Sequence, residues 1–128
     1  MTQVRGESGA EANVSGTISI FAKWTEDIYF FDPDGSAMSL TGLAFHFQFR
    51  SDPSSTAADV TLSTAAGTLS LVADSGAVTS ILRISADGSL FEDYEGDMIA
   101  DLVAVDGSDN ETHYAHGVVS FRNNPVAI

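Results

Sequence analysis

The feature that most constrains the fold of this chain is a strict alternation of apolar and other side chains over residues 43–50, LAFHFQFR. Leu43, Phe45, Phe47 and Phe49 fall on one side of an extended backbone, and the intervening residues fall on the other. A helix would instead spread these phenylalanines around its circumference. The pattern therefore predicts a β-strand with one face in a core and the other face in water.

Short segments with strand-like composition recur along the rest of the chain between turn signals. Strands are predicted over residues 17–22, 27–31, 43–50, 59–63, 67–72, 78–85, 97–105 and 112–121, with a short helical turn within residues 85–93. The turn DPDG at 32–35 ends one of them, because Pro33 presets φ and Gly35 accepts a positive φ. Seven to nine strands, with turns at intervals of about ten residues, predict an all-β sandwich or small barrel.

The length of 128 residues fits one domain. Residues 1–15 contain few large apolar side chains and no hydrophobic period, so we predict an N-terminal arm over 1–15 and a single sandwich domain over 16–128. An ordered arm of this kind needs a surface to lie on. We therefore expect Val4, Arg5 and Val14 to contact a neighbouring subunit.

The charge balance is strongly acidic, with 18 acidic and five basic residues and a formal net charge of −13. Such a surface repels nucleic-acid phosphates and anionic membranes, so we expect the chain to bind neither. It fits a soluble, self-repelling protein, and it leaves open an acidic face that meets a basic partner or binds Ca²⁺. The absence of cysteine excludes disulfides, thiolate zinc sites and cysteine nucleophiles.

No motif in the sequence organises a catalytic or cofactor site: it has no nucleophile elbow, phosphate-binding loop or dinucleotide fingerprint. His113 and His116 are three positions apart in a predicted strand, so they should point to opposite faces and not share a metal. The acidic turns do not match EF-hand spacing and are interpreted as solvated turn residues, although a weak Ca²⁺ site in them stays open. We therefore expect no enzyme activity, no catalytic residue and no resident cofactor or metal.

Two further sets of side chains are candidates for contact with a partner. His46, Gln48 and Arg50 form the polar face of the strand predicted at 43–50, where the alternative is an ordinary solvated face. Trp24 lies between two predicted strands, where it closes one end of the core or offers its ring to a protein or a sugar.

The order of several short motifs resembles a known family. The motifs are FFDPDG at 30–35, SLTG at 39–42, QFR at 48–50, GTLSL at 67–71, VTSILRISA at 78–86, EGDMIADL at 95–102 and GVVSF at 117–121. In this order, over residues 17–125, the chain resembles small phage and prophage proteins similar to the N-terminal domain of upper-baseplate proteins in phages of Gram-positive bacteria.

This resemblance implies an immunoglobulin-like antiparallel β-sandwich that serves as an attachment module, and it brings no catalytic residues. We therefore expect a non-enzymatic accessory or adaptor protein of a tailed-phage virion that docks on the tail, neck or baseplate. Its partners would be other virion proteins, and it would form a homo-oligomer or occur in many copies. Two alternatives stay open: a capsid decoration protein on the head exterior, and a carbohydrate-binding sandwich with an aromatic platform such as Trp24.

Overall fold

The computed structural model of this chain describes residues 2–5, 12–19, 22–52, 54–73 and 78–122. Within them the backbone forms nine strands: β1 (Thr2–Arg5), β2 (Ala12–Ser19), β3 (Lys23–Phe31), β4 (Ala44–Arg50), β5 (Val60–Ser63), β6 (Leu69–Ala73), β7 (Thr79–Asp87), β8 (Gly96–Val105) and β9 (Glu111–Arg122). A short 3₁₀ helix, Gly88–Phe91, lies between β7 and β8. No helix in this described part of the chain is long and apolar enough to cross a membrane.

The strands form two sheets that enclose one hydrophobic core. One sheet has four strands in the order β1-β3-β7-β6, and the other has five in the order β2-β9-β8-β4-β5. All pairs among β3 to β9 are antiparallel. The prediction of an all-β sandwich with seven to nine strands is confirmed.

The order of the antiparallel strands matches that of an immunoglobulin sandwich. If β3 to β9 are read as strands B, C, C′, D, E, F and G, the two sheets have the orders B-E-D and G-F-C-C′. The chain has no cysteine for the disulfide that joins strands B and F in antibody domains, and its one tryptophan lies on β3 instead of β4. The immunoglobulin-like label therefore stays a prediction that the strand order supports.

The N-terminal residues differ from the expected arm. Residues 2–5 pair with β3 and residues 12–19 pair with β9, both in the parallel direction. The described part of the expected arm therefore adds one strand to each sheet, and the sandwich is not antiparallel throughout. An edge strand needs only backbone N–H and C=O groups to pair, so a segment without an apolar period can still extend a sheet.

The structure confirms the strand predicted at residues 43–50, which is β4, and the alternation of its side chains between a buried and an outer face. Phe45, Phe47 and Phe49 are fully buried at 0% exposure, whereas His46 and Gln48 on the other face are partly exposed. The buried side of β4 thus supplies three aromatic rings to the core, and its outer side is available for polar contacts.

Aromatic rings fill much of the core between the sheets. Trp24 contacts four rings at centroid distances between 5.9 and 6.2 Å: Phe47, Phe49, Phe91 and Phe121. Further along the core, Phe30 lies 5.5 Å from Phe45 and 5.4 Å from Tyr114. Edge-to-face contacts of this kind stabilise a core beyond the burial of their area.

The 3₁₀ helix confirms the helical turn that the sequence predicted within residues 85–93. Asp87 caps it, because the Asp87 side chain accepts a hydrogen bond from the backbone N–H of Ser89 at 3.0 Å. The helix delivers Phe91 into the core, where its ring stacks on Phe121 at a centroid distance of 4.0 Å.

Candidate functional site

The outer face of the five-stranded sheet is shaped by a β-bulge in β9. Leu102 and Val103 are neighbours in β8, but their partners in β9, Ala115 and His113, are two positions apart. Tyr114 lies between these partners and is therefore an extra residue in β9. A bulge leaves the extra residue out of the regular ladder and changes which side chains face outward. Tyr114 is buried, whereas His113 and His116 on either side of it are exposed.

This bulge overturns the prediction that His113 and His116 point to opposite faces. That prediction assumed an unbroken alternation along β9. With Tyr114 turned inward against Phe30 and Phe45, both histidines line one depression on the outside of the sheet.

All three histidines of the chain lie on this outer face. Residues directly opposite one another on neighbouring strands project from the same side of a sheet, and three such rows cross β4, β8 and β9. We call their nine residues the histidine face, which row by row consists of His46, Val103 and His113; Gln48, Asp101 and His116; and Arg50, Ile99 and Val118.

Part of the histidine face was expected from the sequence. His46, Gln48 and Arg50 were candidates on the wet side of β4, and the structure places them there. The residues of β8 and β9 were not candidates. One signal for Asp101 exists in the sequence, since it is a charged residue in the middle of the apolar segment MIADLVAV at 98–105.

The polar side chains of the histidine face contact one another. His113 Nδ1 lies 3.2 Å from each carboxylate oxygen of Asp101, and Arg50 Nη2 donates a hydrogen bond to Gln48 Oε1 at 3.2 Å. The His113 and Asp101 side chains remain 46% and 23% exposed. The groups are thus oriented by the protein and still accessible to a partner.

A shallow depression of about 440 Å³ opens on this face. Its lining is a mixture of apolar and polar groups: Arg50, Ser55, Ile99, Ala100, Asp101, His113 and His116. Because the depression is open and mixed in character, it fits a side chain or backbone segment of another protein better than an enclosed small molecule.

Serine, histidine and aspartate occur together in this depression, and these are the residue types of a hydrolase triad. The single hydroxyl hydrogen of Ser55, however, is donated to the carbonyl oxygen of Ala57 at 2.9 Å. A nucleophilic serine donates that hydrogen to an imidazole. In this geometry the Ser55 hydroxyl is directed to a backbone carbonyl oxygen.

The histidine face is electrically neutral on a strongly acidic protein. With its histidines neutral, its charged residues are Arg50 and Asp101, which cancel, so the rest of the chain carries the whole net charge of −13. Val118 is 48% exposed and Ile99 is partly exposed on the same face. A patch that has few unpaired charges and some exposed apolar area is typical of the centre of a protein interface.

The carboxylates of the turns serve as hydrogen-bond acceptors for the backbone. Asp106 Oδ1 accepts from the N–H groups of Asn110 and Ser108 at 3.0 and 2.8 Å, and Asp59 accepts from the N–H of Ser51 at 2.7 Å. These bonds favour the ionised carboxylate and hold the pKa of Asp106 and of Asp59 below the ordinary value. Among the residues that the structure describes, no group of three or more histidine, cysteine, aspartate or glutamate side chains is placed to hold a metal ion.

Trp24 is a core residue. Its side chain is 6% exposed, and its Nε1 donates to Glu26 Oε1 at 3.4 Å. The structure therefore shows the core role, one of the two that the sequence left open for Trp24, because phenylalanine rings surround the indole and leave little of it for a partner or a sugar. The other residues expected to contact a neighbour, Val4, Arg5 and Val14, lie in β1 and β2, and their contact with a partner stays a prediction.

In comparisons with known proteins, no protein-family model matches the chain, and no curated protein matches its sequence.

Proposed function

We propose that this protein is a non-enzymatic structural component of a tailed-phage virion, an accessory or adaptor module that docks on the tail, neck or baseplate. The ordered motifs that resemble small phage proteins support a virion role, and the immunoglobulin-like strand order fits an attachment module. The observation that carries the docking role is the neutral histidine face on an otherwise acidic sandwich.

A docking surface must lose its water without leaving charges unpaired. On the histidine face the two charged residues have opposite charges, and each has a hydrogen-bond partner, Asp101 with His113 and Arg50 with Gln48. Ile99 and Val118 add apolar area whose removal from water favours association. Docking through most other surfaces would bring carboxylates against a neighbour at a cost in free energy.

Incorporation of variants into purified particles tests this docking role. Val118→Glu places a negative charge on an exposed position of the histidine face, and the exposed position lets the domain fold. We expect its incorporation to fall by about tenfold or more, as for a charge forced into the centre of an interface. Leu90→Glu is the matched control, because Leu90 is similarly exposed, at 46%, but lies on the 3₁₀ helix.

Normal incorporation of Val118→Glu would contradict docking through this face. Absence of the unaltered protein from purified particles would refute the virion role itself. The number of copies per particle then distinguishes a tail location from a head location. An adaptor on a ring is present in few copies, whereas a decoration protein is present in hundreds. A ratio close to that of the major capsid protein, measured by quantitative mass spectrometry, would replace the tail assignment with capsid decoration.

A further inference from the structure

We propose that the occupant of the histidine face is a second copy of this chain, packed face to face about a two-fold axis at neutral pH and released by acid. This inference rests on the proposed function and deepens it: the neighbour that the histidine face meets in the particle is another copy of the same protein. A two-fold contact uses one patch on both copies, so the patch must be complementary to itself.

The distribution of charge favours self-association through this face. Each copy carries a net charge of −13, so most ways of bringing two copies together place carboxylates against carboxylates. On the histidine face one arginine and one aspartate lie on neighbouring strands, β4 and β8. Two copies can meet there without net charge, and a two-fold arrangement can pair Arg50 of each copy with Asp101 of the other.

The residues around the histidine face keep its middle neutral. Among the described side chains, the flanking strand β5 places uncharged residues at the matching register positions: Thr61 and Ser63. Charged groups lie at its ends, with Asp97 and Arg122 4.0 Å apart at one end and Glu111 at the other. In the loop after β4, Asp52 and Asp59 accept hydrogen bonds from Ser54 and Ser51.

Acid changes this balance through the histidines. Histidine is the side chain whose charge ordinarily changes between pH 5 and 8, whereas carboxylates stay ionised down to about pH 4. Protonation of His46, His113 and His116 adds three positive charges to each copy, so the histidine face changes from neutral to a net charge of +3. Like charges then face each other across the contact and weaken it.

Sedimentation velocity of the purified full chain at about 0.15 M NaCl, where long-range repulsion is screened, tests this proposal. We expect a dimer at pH 7.5 and a dissociation constant at least about tenfold higher at pH 5.5. Val118→Glu should be monomeric at both pH values, and Leu90→Glu should behave as the unaltered chain. The triple variant His46→Gln, His113→Gln and His116→Gln should dimerise and lose the response to acid.

Circular dichroism of each variant at both pH values shows that it is folded. A monomer at pH 7.5 at concentrations up to about 1 mM, which would mean an association too weak to matter, overturns the self-association. A dimer that survives Val118→Glu overturns the choice of face, and a triple variant that still dissociates in acid overturns the role of the histidines. None of these results affects the virion role, because incorporation into particles is measured independently.

Discussion

At the scale of single residues, Tyr114 sets the geometry of the histidine face. Its ring turns inward and lies 5.4 Å from Phe30 and 6.3 Å from Phe45. Because Tyr114 occupies an extra position in β9, His113 before it and His116 after it both project outward. One buried aromatic side chain thus determines which polar groups the sheet presents to a partner.

A second contact at this scale is the ion pair of Asp27 and Arg83 on the outer face of the four-stranded sheet. Arg83 Nε and Nη2 donate to the two carboxylate oxygens of Asp27 at 2.8 and 3.1 Å. Hydrogen bonding from Arg83 holds the pKa of Asp27 below its ordinary value. Such a carboxyl stabilises the fold above its unfolded pKa, and this stabilisation is lost as the pH falls through the folded pKa.

We therefore expect Asp27→Asn to lower the free energy of unfolding at pH 7 and to have a smaller effect at about pH 2.5, which lies below the ordinary pKa of an aspartate carboxyl. Urea denaturation at the two pH values measures the difference. In an Arg83→Gln background the same substitution should have little effect at either pH. An equal loss at both pH values in the unaltered background would contradict the ion pair.

At the scale of elements, the entry into β8 depends on a glycine. Gly96 begins this strand with a φ of +115°, a conformation that side chains rarely adopt. An added Cβ there would have no heavy atom within 4 Å, so space does not exclude a side chain. The backbone conformation alone demands glycine.

Replacing Gly96 by alanine should therefore lower the free energy of unfolding by about 1–2 kcal/mol through backbone strain. Gly107→Ala is the control, because an added Cβ there also meets no atom within 4 Å and its φ is not positive. We expect the control to change stability by less than about 0.5 kcal/mol. Equal midpoints of urea denaturation for the two variants would show that strain at Gly96 is absent.

Local sequence predicts those elements that contain their own signal, such as an alternation of apolar residues, a capping residue or a polar turn. Strand β4 has its alternation, the 3₁₀ helix has Asp87 as a cap, and the hairpin between β8 and β9 has its polar turn. Strand β1 and most of β2 have no such signal, because their pairing depends on backbone groups of β3 and β9. Such pairing depends on residues elsewhere in the chain, so a short stretch of sequence does not predict it.

The histidine face was predictable on β4 and not on β9. Alternation places His46, Gln48 and Arg50 on the wet side of β4, and the structure agrees. The same rule fails at His113 and His116, because the bulge at Tyr114 interrupts the alternation between them. Trp24 could not be assigned from sequence either, since its burial depends on rings from β4, β9 and the 3₁₀ helix.

At the scale of the whole molecule, the net charge of −13 comes from residues other than the nine of the histidine face. Many like charges on a compact surface repel one another and lower the stability of the folded state. Folding brings these charges closer together than they are in the extended chain, so the repulsion is stronger in the folded form.

Salt should therefore stabilise this protein. Screening lengths fall from about 30 Å at 0.01 M to about 3 Å at 1 M, so raising NaCl from 0.01 to 0.5 M weakens the repulsion. We expect the midpoint of urea denaturation at pH 7.5 to rise over this range. Sodium chloride is preferred to sulfate, which stabilises proteins by exclusion from their surface. A midpoint that falls with NaCl would contradict a dominant role for repulsion.

The pairing of β2 with β9 determines when the five-stranded sheet can form during synthesis of the chain. The residues that face β2 in the sheet come about one hundred positions later in the chain, whereas β1 pairs with the nearby β3. Contacts between segments so far apart in sequence form slowly. A ribosome that pauses before β9 would thus hold a nascent chain in which β2 and β8 both present unpaired backbone edges. The five-stranded sheet is completed only after β9 has been synthesised.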